Sequence, residues 1–220
     1  MPGHRQAKNR ARWSGTPLAL IMNMKICDPD KLIPDPDTIH RIVRSHPFGQ
    51  GLKDEIDTVL VGRSANGPRI QFDSESCTAT LYLSEDAHTL TNYEYILYHE
   101  FSHVVDRINH AFGYSDEKRG SLSDYEQLCV MELWNIYIDA RLNHYHLFHL
   151  GKNDEGIYCS INGRQQKVPF TIEGKLMRHI SFLKSRGVEN AGSIVRSLWQ
   201  NPEETRSYDD LIRFVETSTG

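Results

Sequence analysis

The stretch His99-Glu100-Phe101-Ser102-His103 constrains this chain more than any other part of its sequence. On a helix, two histidines four residues apart lie on one face, one turn from each other. Both imidazoles can then reach a single ion at about 2.0–2.1 Å, and the glutamate between them projects beside that ion. The pattern therefore predicts a metal site, provided that its surroundings are helical.

Residues 90–111 have the features of an amphipathic helix. Thr91 and Glu94 have the spacing of a capping box, and no proline or glycine follows until Gly113. Apolar side chains recur at helical spacing and are expected to face a core: Tyr93, Leu97, Phe101, Val104 and Ile108. We therefore expect the H-E-x-x-H pattern on a well-formed helix.

With His99, Glu100 and His103 in this arrangement, the stretch resembles the active-site helix of the zincin metallopeptidases. The resemblance covers this helix and, more loosely, the next one. It implies that His99 and His103 bind Zn²⁺ and that Glu100 is the catalytic residue, which takes a proton from water at the metal. It also implies peptide-bond hydrolysis, with a protein or peptide as the substrate.

A site of this kind needs a third protein ligand. The metzincin pattern is excluded, because Asp106 and Asn109 stand where it requires Gly and His, and His110 is one residue out of register. A second helix, expected at 122–149 with a capping box at its start, offers carboxylates instead. A polar stripe within about 40° of one direction runs through its apolar surroundings: Glu132, Asn135, Asp139, Asn143 and His146.

Asp139 is the expected third ligand, because it is central in the stripe and an asparagine lies one turn away on either side. Glu132 is the second choice, and Asp106 is a further alternative. A carboxylate ligand on a second helix resembles the gluzincins, and the Asn-x-x-x-Asp segment, here Asn135 and Asp139, is similar to that of the predicted metallopeptidases called minigluzincins. An aspartate ligand would depart from the gluzincin pattern. The competing explanation for a buried Asp139 is a salt bridge with an arginine such as Arg107.

The remaining elements predict an α+β fold. A short helix capped by Asp37 is expected at 37–46, and strands are expected at 17–26, 55–62, 68–73 and 77–84. Asn66-Gly67 predicts a hairpin between the second and third of these strands. After a loop with one hairpin at Asn162-Gly163, three helices are expected near 171–186, 190–199 and 207–217.

A small N-terminal mixed sheet and the motif helix are thus expected to pack on a mainly helical C-terminal part. By resemblance this fold is zincin-like: one domain at 17–220, with an upper lobe at 17–112 and a lower lobe at 113–220. In zincins an edge strand binds an extended peptide by strand addition. The resemblance implies this role for strand 77–84, and an ordinary interior strand is the equal alternative.

Composition limits the partners. The net charge is −4, the hydrophobic fraction is 39%, and no run has the length of a membrane span, which is typical of a soluble globular protein. The four cysteines form no C-x-x-C pair, so we expect a reduced, cytoplasmic protein. Residues 1–16 are expected to form a disordered basic tail. The acidic body of the chain argues against nucleic acid as a partner, and a DNA-associated peptidase ranks last.

Two function classes follow from the sequence. The first is a zinc-dependent endopeptidase. The second is a latent or inactive zincin-like module that binds a partner protein, in which the C-terminal helices at 171–217 cover the cleft.

Overall fold

The computed structural model of the chain describes residues 24–49, 51–90, 92–148, 157–161, 164–168, 171–204 and 206–216, with the backbone alone at 157–161 and 164–168. The predicted tail at 1–16 and most of the predicted strand at 17–26 lie outside these residues. The described part is an α+β fold that contains a four-stranded sheet, a two-stranded hairpin and a majority of helix.

The four-stranded sheet consists of β1 (Lys25–Cys27), β2 (Thr58–Arg63), β3 (Arg69–Asp73) and β4 (Thr78–Leu83). Their order is β1-β2-β4-β3, in which β1, β2 and β4 are parallel and β3 runs antiparallel to β4. Side chains alternate along β4 as predicted, with Ala79, Leu81 and Leu83 buried. Among the described strands, β2 and β4 are interior, and β1 and β3 are the edges of the sheet.

One strand prediction was wrong, and one pair of alternatives is decided. Asn66-Gly67 forms a turn with Gly67 at a φ of 86°, but β2 and β3, which it joins, do not pair. The hairpin lies one connection later, where the Asp73 carboxylate accepts hydrogen bonds from the Glu75 backbone and the Ser76 hydroxyl. Strand 77–84 is interior and cannot be the peptide-binding edge, because β2 and β3 occupy its two sides.

The helices of the N-terminal half are α1 (Pro36–Ser45), α2 (Leu52–Glu55), α3 (Tyr93–Ile108) and α4 (Asp116–Ser121). Asp35, not the predicted Asp37, caps α1: its carboxylate accepts a hydrogen bond from the Asp37 backbone, and Pro36 is the first helical residue. Thr91, the predicted cap of α3, lies outside the described residues. The residue before α3, Asn92, makes no capping hydrogen bond through its side chain.

The C-terminal half contains α5 (Asp124–His144), the hairpin β5 (Ile157–Ile161) and β6 (Arg164–Val168), and then α6 (Ile172–Lys184), α7 (Ala191–Gln200) and α8 (Tyr208–Glu216). The predicted hairpin and the three predicted final helices are confirmed. So is the capping box of α5, between Ser123 and Glu126. α5 ends at His144, earlier than predicted, so His146 is exposed beyond the helix and not on its polar stripe.

The core joins the sheet to α3 and α5. Leu97, Phe101 and Val104 of α3 are fully buried, as predicted from their spacing, and Leu133 and Trp134 of α5 are fully buried as well. Burial of aromatic and branched side chains of this kind fixes the two helices against each other at the level of the motif. In the part of the chain that the structure describes, no helix is both long and apolar enough to cross a membrane.

Candidate metal centre

Helix α3 carries the three motif residues into the interior. Glu100 is 8% exposed and His103 is 7% exposed, while the His99 side chain keeps 14% of its surface accessible. Charged and titratable groups are rarely buried without partners or a metal. The partners of these three side chains therefore indicate what the site can do.

The two histidines share one neighbour on α5. The Oδ1 atom of Asn135 lies 3.1 Å from His103 Nε2 and 3.4 Å from His99 Nε2. The second ring nitrogen of His103, Nδ1, is buried and has no hydrogen-bond partner among the described residues. Asn135 Oδ1 of α5 thus lies beside an Nε2 atom of each motif histidine of α3.

Asp139 lies on the opposite side of His99. Its Oδ1 atom is 2.7 Å from His99 Nδ1 and accepts a hydrogen bond of 2.5 Å from the Tyr95 hydroxyl. Its Oδ2 atom is 2.6 Å from Lys175 Nζ of α6. Asp139 is 1% exposed, so both oxygens of a buried carboxylate are satisfied by these three groups. The arginine suggested as its alternative partner, Arg107, lies over the ring of Tyr114 instead.

These contacts set the proton affinities of the site. Burial lowers the pKa of His99, but the charge and hydrogen bond of Asp139 outweigh it, so that this pKa stands above its ordinary value. Burial, together with the charge of His99, holds the pKa of His103 well below its ordinary value, and His103 is therefore neutral. The pKa of Asp139 lies below its ordinary value. Burial raises this pKa, but the charges of Lys175 and His99 lower it by more than burial raises it.

Glu100 faces the sheet. The backbone of Ile70, on the edge strand β3, lies close enough to the Glu100 carboxylate to lower its pKa. Burial nevertheless raises the pKa of Glu100 above its ordinary value. A carboxylate with a raised pKa is better matched to accept and return a proton near neutral pH than one with an ordinary pKa.

The two alternative ligands have other partners. Glu132 Oε1 lies 2.6 Å from Nδ1 of His179, a buried histidine of α6. Asp106 makes a two-pronged ion pair with Arg141, at 2.8 and 2.5 Å, and accepts a hydrogen bond of 2.7 Å from the Trp134 indole. Both carboxylates are thus engaged in contacts that hold helices together.

The possible ligand atoms of His99, His103 and Asn135 have a spacing that fits a metal ion, but the third ligand is not of the usual chemical type. Tetrahedral zinc with bonds of about 2.0–2.1 Å places neighbouring donor atoms about 3.3–3.4 Å apart, close to the two separations measured from Asn135 Oδ1. When His99 is neutral and its Nδ1 proton is donated to Asp139, its Nε2 lone pair is available to a metal ion. Within the described residues, however, no three His, Cys, Asp or Glu side chains are grouped as a metal site. The third donor would be an amide oxygen.

Sequence reasoning had named Asn135 only as a residue that orients Asp139, and it had missed Tyr95 and Lys175. The available signal for Asn135 was its place on the polar stripe of α5. Nothing in the sequence connects Lys175 to the site, because it lies on a different helix and 36 residues beyond Asp139.

Comparison of the chain with protein-family models, with curated proteins and with solved structures finds no match in any of the three. The residues of the site are therefore the basis for proposing a function.

Proposed function

We propose that this protein is a zinc-dependent hydrolase of peptide bonds with a zincin-like arrangement. The observation that carries the proposal is the meeting of His99 Nε2, His103 Nε2 and Asn135 Oδ1, on the helix face that also carries the buried Glu100. When bound there, zinc would supply Lewis-acid chemistry: it acidifies water and polarises a carbonyl oxygen.

The chain's own residues have distinct roles in this proposal. Glu100 accepts a proton at its carboxylate and returns it to the leaving amine, for which its place on α3 between the two histidine ligands is suited. Asp139 fixes the tautomer and ring orientation of His99 through the Nδ1 contact. The proposed ligands are therefore His99, His103 and Asn135. For Asp139 to be the third ligand, as predicted from the sequence, its carboxylate would have to leave His99 and Lys175.

The edge strand β3 suits an extended peptide substrate. Among the described strands it is an edge strand, and its Ile70 backbone lies beside Glu100. A peptide that adds as a further strand along β3 would pass directly beside the proposed base. β3 replaces β4 in this role, since β4 is interior.

The test is zinc content per chain together with peptide cleavage followed by mass spectrometry. We expect about one zinc in the wild type and in Glu100→Gln, with cleavage lost in the latter. Asn135→Ala should lose zinc, and Asp139→Asn should bind it roughly 10–100-fold more weakly. Glu132→Gln is the matched control on the same helix and should bind zinc normally, since Glu132 contacts His179.

Two outcomes would contradict these assignments. Absence of zinc from the wild type after reconstitution, or cleavage by Glu100→Gln, would remove the proposed mechanism. Loss of zinc in Asp139→Ala with full retention in Asn135→Ala would return the third-ligand role to Asp139.

A second candidate is a metal-free module that binds a partner protein. It is favoured by the neutral amide at the third position and by the engagement of the two carboxylates of the α5 polar stripe, Asp139 and Glu132, with α6. With its amide turned over, Asn135 would donate its NH₂ group to the two imidazoles and satisfy them without an ion. In that case the melting temperature would respond neither to zinc nor to a chelator.

A further inference from the structure

Helix α6 supplies a cationic or imidazole partner to each carboxylate of the α5 stripe. Lys175 Nζ lies 2.6 Å from Asp139 Oδ2, and His179 Nδ1 lies 2.6 Å from Glu132 Oε1. The two α6 residues are four positions apart and so share one helix face. Their partners Asp139 and Glu132 lie on either side of Asn135 along α5. The docking face of α6 is thus built on two polar pairs, one of which leads to the metal centre.

Only the Lys175 pair connects to the site. Asp139 binds Lys175 through one oxygen and His99 through the other, so that a single carboxylate separates the ammonium group from the imidazole. Lys175 also donates a hydrogen bond of 3.0 Å to the Tyr95 hydroxyl and lies 4.7 Å from the centroid of the Phe148 ring. Its side chain is only 18% exposed, so its charge is weakly screened by water.

We infer that Lys175 is a built-in counter-cation of the metal centre, so that docking of α6 through Lys175 and metal binding at His99 weaken each other. The inference rests on the metal site of the proposed function. Buried Asp139 needs a positive partner, and Lys175 provides it in the metal-free protein. A divalent ion on the far side of His99 places a second positive charge near the first.

The size of the coupling follows from Coulomb's law. For charges about 10 Å apart at an effective dielectric constant of about 20, repulsion between a lysine and a divalent ion corresponds to more than tenfold in affinity. By linkage, the metal must weaken α6 docking by the same factor. α6 then acts as an inhibitory contact that metal loading loosens.

The test is the zinc dissociation constant, measured by competition with a chromogenic chelator. Lys175→Met should bind zinc at least tenfold more tightly than the wild type, because Asp139 then lacks its internal cation and the ion replaces it. Lys175→Arg keeps the charge and should match the wild type. His179→Gln is the matched control: it removes the other α5–α6 pair and should also match the wild type.

A second measurement uses the wild type alone, so that it does not depend on folding of the variants. Backbone amides of α6 should exchange with deuterium faster in zinc-loaded than in zinc-free protein, while those of α7 serve as the internal reference. Equal or weaker zinc binding by Lys175→Met, or slower exchange of α6 on zinc loading, would overturn the inference and leave the proposed function standing. No zinc binding by any of the four proteins would overturn both.

Discussion

His46 should make the protein sensitive to mild acid. It is 5% exposed at the end of α1, and its Nε2 atom lies 3.3 Å from the Tyr98 carbonyl oxygen and 3.3 Å from the Ser102 hydroxyl. Its other ring nitrogen has no hydrogen-bond partner among the described residues, and the Phe48 ring packs nearly perpendicular to the imidazole ring, with 4.6 Å between the ring centroids. Burial, aided by the charge of Arg141, lowers the pKa of His46 from 6.5 to about 4.

The sign and size of the effect follow from proton linkage. Between pH 6.5 and about 4 the unfolded chain binds a proton at His46 and the folded protein does not, so the free energy of unfolding falls as the pH falls through this window. At about 1.4 kcal/mol per pH unit, the loss from this group between about pH 7 and about pH 4.5 is about 2 to 3 kcal/mol.

Urea unfolding at these two pH values measures the loss directly. His46→Gln keeps a donor for the Tyr98 carbonyl and does not titrate, so its stability should fall by about 2 kcal/mol less than that of the wild type over the same interval. The exposed His88 offers a matched control, and His88→Gln should behave as the wild type does. Equal losses in the wild type and in His46→Gln would refute the reasoning.

Three further predictions concern stability at neutral pH, each measured by chemical denaturation. Asp106→Asn should cost about 3–5 kcal/mol, because it leaves the mostly buried Arg141 guanidinium without its ion pair; a loss below about 1 kcal/mol would contradict this. Gly49→Ala should cost about 1–3 kcal/mol, since its new Cβ would lie 2.9 Å from His46 Cβ and 3.0 Å from Val105 Cγ2; unchanged stability would show that the loop yields. Ser123→Ala should cost about 1 kcal/mol through loss of the α5 capping box, whereas Ser123→Thr should restore most of it.

Local patterns in the sequence were sufficient for most of the helices. The 3.6-residue recurrence of Leu97, Phe101 and Val104 located α3, and the Ser123–Glu126 spacing located the start of α5. These features act within one or two turns of chain, so they can be recognised without knowledge of the fold.

Strand pairing was not accessible in the same way. The turn signal at Asn66-Gly67 was genuine, but β4 lies between the two strands that this turn joins. It is the parallel partner of β2 and the antiparallel partner of β3. Pairing of this kind is a competition among distant segments, and a local turn does not decide it.

At the candidate site, the sequence by itself determined the motif helix, the common face of His99 and His103, and a polar stripe on a second helix. Only the tertiary structure decided which members of that stripe meet the histidines. Sequence spacing cannot distinguish residues that lie within about 40° of one another on the same helix face. The packing of α3 against α5 brings Asn135 to the Nε2 atoms of both histidines and Asp139 to Nδ1 of His99. The partner of Asp139 was decided by the docking of α6, whose Lys175 reaches the site from a separate part of the chain.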